Sequence, residues 1–396
     1  MRIKISREID LPDPIKLDLY RRSPQLGPKI LFFSGGNALR ETSRALIDYT
    51  HNSIHIVTPF DSGGSSAALR EAFRMPAIGD VRNRLMALAD QSILGNPEIF
   101  SLFSFRFPKD APDYQLQEEL TEMVKGRNRM IQAIIDPMRK IIKHHLSVFR
   151  SNMPPDFDLR GASIGNLILT AGYIENERRL DPVIYIFSKL VEVRGTVRPV
   201  TNEGMNLVAE LESGETVVGQ HLITGKEHPP ISSKITRVYL TDNRVNSKET
   251  SVSIRDKIRD LIESAQLICY PMGSFYSSII ANLLPSGVGE AIAQTTCPKV
   301  FVPNTYDDPE TYGLPVDEQI ETLLHYLMED NAEKSNPRDY LNYIVVDKEE
   351  GAYQGEIKEK RMEELGIEVI NYPLIDGNSS KRIDPNRISE ILLTLA

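Results

Sequence analysis

Cysteine and long apolar runs are both scarce in this sequence of 396 residues. The two cysteines, Cys269 and Cys297, form no CxxC pair and belong to no Cys/His cluster, so we expect neither a disulfide framework nor a structural zinc site. No apolar run reaches the roughly 18 residues that a membrane-spanning helix needs. The N-terminal residues "MRIKISREIDLPDPIKLDLY" lack the apolar segment of a signal peptide. These absences predict a globular protein of the cytoplasm that has no membrane partner.

Positive charge is also in deficit. Lysine and arginine together number 46, whereas aspartate and glutamate number 55, which leaves a net charge of −9. Sequence-independent binding to nucleic acid depends mostly on cationic contacts to phosphate. We therefore expect no nucleic-acid partner.

Apolar segments of strand length alternate with segments of helical period along most of the chain. The strand-like segments are "KILFF", "SIHIVTPF", "AQLICYP", "PKVFVPN", "YLNYIVVD" and "IEVINYPLI". Continuous apolar strands joined by helices are typical of a parallel sheet with helices on both faces. The pattern predicts an α/β fold with a mostly parallel sheet.

Two segments interrupt this alternation. Residues 97 to about 157 are charged and helix-periodic, which predicts a helical insertion with a break near Pro137. Residues 195 to about 224 alternate in polarity and carry a Ser-Gly turn, which predicts a β-hairpin excursion. We therefore divide the chain into an N-terminal extension, residues 1–27, and a single α/β domain, residues 28–396, that contains both segments.

The first predicted strand ends in the turn "SGGNA", which contains Gly35, Gly36 and Asn37 and leads into a helix. In an open α/β sheet, ligands bind outside the carboxyl ends of the strands, where a helix N-terminus offers N–H groups to a phosphate. Glycine allows such a ligand to approach the backbone closely. The GxGxxG fingerprint and the P-loop pattern are both absent, which disfavours a hydride-transferring enzyme. By itself the turn fits a phosphate site and a ligand-free tight turn equally well.

Three further turns repeat this chemistry where predicted strands end or helices begin. They are "VTPFDSGGSS" with Asp61, Ser62, Gly63, Gly64, Ser65 and Ser66, "GDVRN" with Asp80, Arg82 and Asn83, and "MGSFYSS" with Gly273 and Ser274. A single serine or aspartate can cap a helix, but four polar residues around Gly63 and Gly64 exceed what one cap requires. Because the carboxyl ends of parallel strands meet at one edge of the sheet, we expect these turns to converge on one ligand site.

The order of these motifs resembles that of a known family. The segments "SGGNA", "VTPFDSGGSS", "GDVRN", "GASIGNLIL", "VEVRGTVRPVT" and "MGSFYSSIIANLL" resemble the motifs of the CofD-like family, in sequence, from about Lys29 to about Leu327. This family includes the 2-phospho-L-lactate transferase of coenzyme F420 biosynthesis and the YvcK-type gluconeogenesis factors, and the second branch looks closer. The resemblance implies a Rossmann-like sheet and a site for a nucleoside-diphosphate-linked ligand.

The resemblance also implies roles for individual residues. It makes Asp61 and Arg82 the candidate catalytic residues, with Asp61 as the candidate Mg²⁺ ligand. The candidate ligand-binding residues are Gly35, Gly36, Asn37, Ser62, Gly63, Gly64, Ser65, Ser66, Asp80, Asn83, Asn166, Gly273, Ser274 and Tyr276. Arginine suits this role because its planar guanidinium group can grip two phosphate oxygens at once.

The sequence departs from the family pattern at several positions. Asn37-Ala38 replaces Thr-Gly, Ser62 replaces the second aspartate of the Asp pair, Pro271-Met272 replaces Gly-Pro, and Gln319 stands where a histidine is usual. The loss of one carboxylate weakens the metal prediction. Asp307, Asp308 or Glu310 could compensate, although the loop that carries them could equally be a solvated acidic loop. We expect a distinct subfamily.

A basic run lies within the predicted helical insertion. It comprises Arg127, Arg129, Arg139, Lys140, Lys143, His144 and His145. Such a run could cover an anionic ligand as a lid, or it could form a solvated helix face.

Two functions of different class fit these observations. The first is a nucleotide-diphosphate-dependent, Mg²⁺-assisted transferase of a phosphorus-containing group, similar to 2-phospho-L-lactate transferase. The second is a non-catalytic regulator of carbon metabolism or cell-wall synthesis that binds a nucleotide sugar. The intact phosphate turns favour the first function, and the replaced aspartate and histidine favour the second. Because the exposed edges of such sheets often pair, a homodimer is a further expectation.

Overall fold

The computed structural model describes residues 8–92, 95–225, 229–306, 308–331, 336–375 and 381–396. The strands are β1 (Ile30–Ser34), β2 (Ile54–Val57), β3 (Thr196–Pro199), β4 (Asn206–Leu211), β5 (Thr216–Val218), β6 (Ile235–Thr241), β7 (Leu267–Tyr270), β8 (Lys299–Phe301), β9 (Tyr343–Val346) and β10 (Glu368–Asn371). Seven of them form a parallel sheet in the order β10-β9-β8-β7-β1-β2-β3, and three form an antiparallel sheet in the order β5-β4-β6.

The direction of strand addition reverses at β1. From β1 the chain adds β2 and then β3 on one side, whereas β7 to β10 extend the sheet on the other side. In the register, Leu31 of β1 pairs with Ile54 of β2 and with Ile268 of β7. The gap between the loops that follow β1 and β7 is therefore a topological switch point, where open α/β sheets usually bind ligands.

Helices surround the sheet. They are α1 (Pro14–Arg22), α2 (Arg40–Ile47), α3 (Gly64–Phe73), α4 (Gly79–Ala87), α5 (Pro97–Ser104), α6 (Asp113–Lys125), α7 (Arg129–Ala133), α8 (Met138–Asn152), α9 (Ile164–Glu175), α10 (Leu180–Leu190), α11 (Gln220–Ile223), α12 (Asp256–Glu263), α13 (Ala281–Leu283), α14 (Val288–Ala293), α15 (Val316–Met328), α16 (Glu359–Leu365) and α17 (Pro385–Leu395). A π-helical turn, Phe275–Ile280, leads into α13. Among the described residues, no helix combines the length and the apolar character that crossing a membrane requires.

The alternating side chains of the strands fill two hydrophobic cores. In β1, Leu31 and Phe33 point into a core that includes α12, α14, α15 and the antiparallel sheet. Ile30 and Phe32 point to the opposite face, into a core with α1, α2 and α17. Because a strand that is buried on both faces has no polar side, all five residues of β1 are apolar or small. The predicted α/β fold class is confirmed.

The helical segments pack around a third core. The segment predicted as a helical insertion contains α5 to α8, and the same core continues through α9 and α10. Residues of α6 and α8, such as Leu120 and Phe149, are fully buried in it. These helices therefore form one helical block beside the β2–β3 edge of the main sheet.

The segment predicted as a β-hairpin divides between two sheets. β4 and β5 form the antiparallel hairpin, and β6 joins β4 as its third strand. β3, at the start of the same segment, instead pairs in parallel with β2 and forms an edge of the main sheet. An alternating pattern does not identify a strand's partner, because the side chains of an edge strand alternate in either sheet.

The pairing of two chains into a homodimer stays a prediction.

Candidate functional site

A cleft of about 320 Å³ lies at the switch point of the main sheet. The residues that follow β1, β2 and β7 form its rim, and the starts of α3 and α4 form one of its walls. The structure brings all four glycine turns to this single cleft. Three of them follow β1, β2 and β7, at the carboxyl ends of parallel strands, and the "GDVRN" turn lies at the start of α4.

The turn after β1 approaches α4 so closely that it has no room for side chains. A Cβ atom added at Gly36 would overlap Asp80 Oδ1 and would lie 3.1 Å from Asn83 Nδ2. At Gly35, an added Cβ would overlap Ser278 Oγ. These glycines therefore permit the close approach of the first turn to the third turn and to the helix after β7.

The turn after β2 brings a carboxylate to the same cleft. Asp61 Oδ1 accepts a hydrogen bond from the Gly63 N–H at 3.1 Å, and α3 begins at Gly64. A Cβ added at Gly79 would lie 3.0 Å from Asp61 Oδ2 and would overlap Ser66 Oγ. The start of α3 therefore packs against the start of α4, with Asp61 between them.

The start of α4 supplies a second carboxylate. Asp80 lines the cleft, and its Oδ2 accepts a hydrogen bond from Thr58 Oγ1 at 3.2 Å. Three residues further along the helix, Asn83 Nδ2 donates to Asn37 Oδ1 at 3.4 Å. Asp80 and Asn83 thus connect the third turn with the first.

Arg82 does not line the cleft. Its side chain is 7% exposed, and its Nη1 donates to Ser163 Oγ at 2.7 Å and to the Phe103 carbonyl at 3.5 Å. Its Nη2 donates to Asn83 Oδ1. The geometry therefore differs from the predicted direct grip on phosphate, because Arg82 points into the helical block and orients Asn83 from behind.

The turn after β7 is held by side chains from the acidic loop. Gly273 adopts φ +144°, and its N–H donates to Asn304 Oδ1 at 2.8 Å. Asp308 Oδ2 accepts the Phe275 N–H at 3.1 Å, and Glu310 Oε2 accepts the Ser277 N–H at 2.8 Å. Both carboxylates are buried, so Asp308 and Glu310 do not belong to a solvated loop. Neither lines the cleft, where a replacement metal ligand would have to lie. Asp307 lies outside the described residues.

Tyr276 points away from the cleft. Its side chain is 3% exposed, and its hydroxyl group donates to the Ile235 carbonyl of β6 at 3.2 Å. Burial raises the pKa of this phenol above its ordinary value. Tyr276 therefore packs the antiparallel sheet against the π-helical turn, whereas Ser274 and Ser278 face the cleft.

One end of the cleft is lined by polar side chains, and one of their hydrogen-bond acceptors is unsatisfied. Asn166 Nδ2 donates to Ser65 Oγ at 3.4 Å, and Arg106 Nη1 reaches the same hydroxyl at 3.4 Å. Asn166 Oδ1 is buried and has no hydrogen-bond partner among the described residues. The sequence did not predict Arg106, because an isolated arginine in "FSFRFPKD" carries no motif.

The sequence did not predict a further part of the cleft lining either. Gln220, His221 and Thr224 line the cleft there, and they belong to the segment "GQHLITGK". Ser62, which does not line the cleft, forms a 2.7 Å hydrogen bond between its Oγ and His221 Nδ1. Its Oγ also accepts the His221 N–H at 3.2 Å. The position that carries an aspartate in the family pattern thus anchors a histidine 159 residues away along the chain.

A larger trough of about 1760 Å³ lies between β6, α15 and α16. Its charged residues are mostly paired with one another, for example Lys234 with Glu318 and Lys358 with Asp317. None of the four glycine turns contributes a glycine to its lining among the described residues. We therefore assign the candidate site to the smaller cleft, where turns and unsatisfied polar atoms meet. The basic run between Arg127 and His145 does not line that cleft within the described part of the chain.

The donor set of the cleft fits Mg²⁺ that is shared with a ligand. No group of three or more histidine, cysteine, aspartate or glutamate side chains in the described ranges could hold a metal ion alone. Mg²⁺ is usually bound by one or two carboxylates and completed by waters and phosphate oxygens. Asp61 and Asp80, which both line the cleft, match that pattern.

Comparisons with known proteins find relatives over most of the chain. The profile of a family described as "2-phospho-L-lactate transferase CofD" matches residues 30–375. The chain is 28% identical to the gluconeogenesis factor of Bacillus subtilis over 386 residues, which are 93% of this chain and 98% of that protein. It is 31% identical over 298 residues to a putative gluconeogenesis factor of Nostoc, with 75% of this chain and 52% of that protein covered. The crystal structure of a UPF0052-family protein from Bacillus halodurans matches with a TM-score of 0.66 and 25% identity, covering 92% of this chain and 99% of that one.

Proposed function

This chain belongs to the CofD family, and on that premise we propose that its cleft binds a nucleoside-diphosphate-type ligand with Mg²⁺ and transfers a phosphorus-containing group to an acceptor hydroxyl. The observation that carries the proposal is the convergence of four glycine turns and two carboxylates on one cleft. Backbone N–H groups at helix starts suit phosphate oxygens, and the two carboxylates suit a divalent cation.

The first and fourth turns would cradle the diphosphate. Gly35, Gly36 and Gly273 present backbone that no Cβ covers, and Ser274 adds a hydroxyl group. Asn83, which Arg82 orients, would donate to a phosphate oxygen. Arg106 is the cationic side chain in the described lining of the cleft, and it would pair with a second phosphate or with the transferred group.

The reaction needs positioning more than covalent chemistry. The acceptor hydroxyl oxygen forms a new bond to the phosphorus, the bridging P–O bond breaks, and the departing nucleoside monophosphate takes the electron pair. Asp61 would either accept the hydroxyl proton as a base or bind Mg²⁺. In the second role, Asp61 and Asp80 would hold Mg²⁺, which would supply stabilisation of the negative charge on the phosphate oxygens.

A second candidate function is a regulator that binds a nucleotide sugar without reaction. The observation in its favour is that Ser62, at the position of the second family aspartate, is engaged with His221 and does not face the cleft. The curated relatives are named gluconeogenesis factors rather than transferases, which also supports it.

Isothermal titration against GDP, UDP and UDP-sugars, with and without Mg²⁺, tests the proposal. For the transferase function we expect that Mg²⁺ tightens diphosphate binding to the wild type but not to Asp61→Asn. Glu356→Gln, at an exposed acid, is the matched control for removal of one negative charge.

The outcomes separate the two functions. Metal-independent binding of a nucleotide sugar that is equal in Asp61→Asn would favour the regulator. No binding of any diphosphate to the wild type would refute both functions.

A further inference from the structure

Three arginine side chains lie buried behind the walls of the cleft. Arg70, Arg82 and Arg84 are 8%, 7% and 0% exposed. Their hydrogen bonds go to carbonyl, hydroxyl and amide oxygens. The carboxylates of Asp61 and Asp80 attract Arg70 and Arg84, respectively. A buried charge is costly for folding unless other charges compensate it. Positive charge therefore accumulates behind a cleft that could receive a compensating anion.

Arg84 is the most completely buried of the three, and the loop after β1 encloses it. Its Nη2 donates to the Gly35 carbonyl at 2.8 Å and to Ser34 Oγ at 3.2 Å. Its Nη1 donates to the Leu39 carbonyl at 3.0 Å and to Ser43 Oγ. One guanidinium group thus holds both ends of the loop that contains the first glycine turn. Its Nε has no hydrogen-bond partner among the described residues.

These contacts also determine the direction of a backbone donor. In a planar trans peptide the C=O and the N–H point in opposite directions. Because the Gly35 carbonyl points to Arg84, the Gly36 N–H of the same peptide points away from Arg84. Gly36 lines the cleft and Arg84 does not, which fits a Gly36 N–H directed towards the cleft.

The charge of Arg84 is retained at neutral pH. Burial lowers the pKa of its guanidinium group to about 10, and the carboxylate of Asp80 opposes this shift. In a buried environment the field of such a charge is screened far less than at the surface. An anion bound at the Gly35–Gly36 turn would therefore experience it, although it would not touch Arg84.

We propose that Arg84 is a positioning residue that makes the turn after β1 selective for a multiply charged ligand group, of which pyrophosphate is the simplest example. It does so by aiming the Gly36 N–H and by supplying a fixed positive charge behind it. The inference rests on the proposed function of the cleft, and it specifies that the phosphate-bearing part of the ligand occupies this turn.

Titration calorimetry with inorganic pyrophosphate on Arg84→Gln and Arg84→Lys tests the inference. Arg84→Gln keeps a hydrogen-bond donor but removes the charge, and we expect its affinity to fall by at least about tenfold. Arg84→Lys keeps the charge, and we expect it to stay within about threefold of the wild type. Arg150→Gln, at an exposed arginine of α8, is the control for removal of one positive charge and should bind normally.

Each outcome decides the inference. Wild-type affinity in Arg84→Gln would overturn it, and so would a folded Arg84→Lys that loses as much affinity as Arg84→Gln, because the residue would then only brace the loop. If Arg84→Gln does not fold, retained affinity in Arg84→Lys supports the inference and a tenfold loss overturns it. If the wild type binds neither pyrophosphate nor a nucleoside diphosphate, the proposed function itself fails. This outcome is measured on the wild type alone and is therefore distinct from the outcomes of the variants.

Discussion

Gly36 shows at the residue scale how the cleft depends on missing side chains. Its backbone lies against Asp80 and Asn83, and a methyl group there would meet the Asp80 carboxylate. The same two side chains line the cleft, so any atom added at Gly36 must displace them. Glycine is therefore required here because there is no space for a side chain, and the side chains that fill that space belong to the site itself.

Gly36→Ala should weaken pyrophosphate binding by at least about tenfold, because Asp80 and Asn83 must move to accept the methyl group. Titration calorimetry measures this loss. Gly204→Ala is the matched control, since the nearest atom to its new Cβ is 3.9 Å away, and it should bind as the wild type does. Normal binding by a folded Gly36→Ala would show that the ligand does not use this turn.

At the scale of elements, the π-helical turn after β7 is held by two buried carboxylates. Asp308 and Glu310 accept backbone N–H groups at its start, where a helix leaves such donors without partners. A negative charge at this end is favourable because of the helix dipole. The acidic loop thus holds Gly273 and Ser274 in place at the cleft.

Glu310→Gln should lower the free energy of unfolding by about 1–3 kcal/mol, because a charge-assisted buried acceptor becomes a neutral one beside the Ser277 N–H and hydroxyl. Urea unfolding measures the change. Exposed Glu356→Gln should leave the stability unchanged. Equal stability of Glu310→Gln and the wild type would contradict the bracing role.

At the scale of the whole molecule, the cleft lies where three packed regions meet. The main sheet, the helical block and the antiparallel sheet with α11 each contribute to its walls. A titratable group buried in the main sheet can therefore weaken the fold that holds the cleft together. His55 in β2 is such a group, since it is 0% exposed and its ring stacks on Phe32 with centroids 5.1 Å apart.

His55 should make the protein less stable in mild acid. Burial, and then the charge of Arg84, hold the pKa of its imidazole well below 6.5. Below about pH 6.5 the unfolded chain therefore binds one more proton at this residue than the folded chain, and stability falls as the pH falls. The loss at this residue is at most about 1.4 kcal/mol per pH unit.

Urea unfolding across this pH range measures the effect. His55→Phe, which keeps an aromatic ring beside Phe32, should show a flatter decline than the wild type. His325→Gln, at an exposed histidine of α15, should decline as the wild type does. Equal slopes for the wild type and His55→Phe would show that His55 does not control acid stability.

The sequence by itself determined the α/β class and the location of the glycine turns. Continuous apolar strands reveal burial on both faces, and parallel strands must end at one edge, so local patterns sufficed for both predictions. The family resemblance, carried by six motifs in order, is confirmed by the match to residues 30–375. The transfer reaction, the nucleotide and Mg²⁺ stay predictions.

Only the tertiary structure decided where particular side chains point. Arg82 and Tyr276 lie in or beside motifs that face the cleft, yet both turn into the protein interior, because helical neighbours project in different directions. The pairing of Ser62 with His221, and the support of the late turn by Glu310, depend on packing between distant segments. Motif spacing describes the local chain, whereas the direction of a side chain depends on which other elements pack around it.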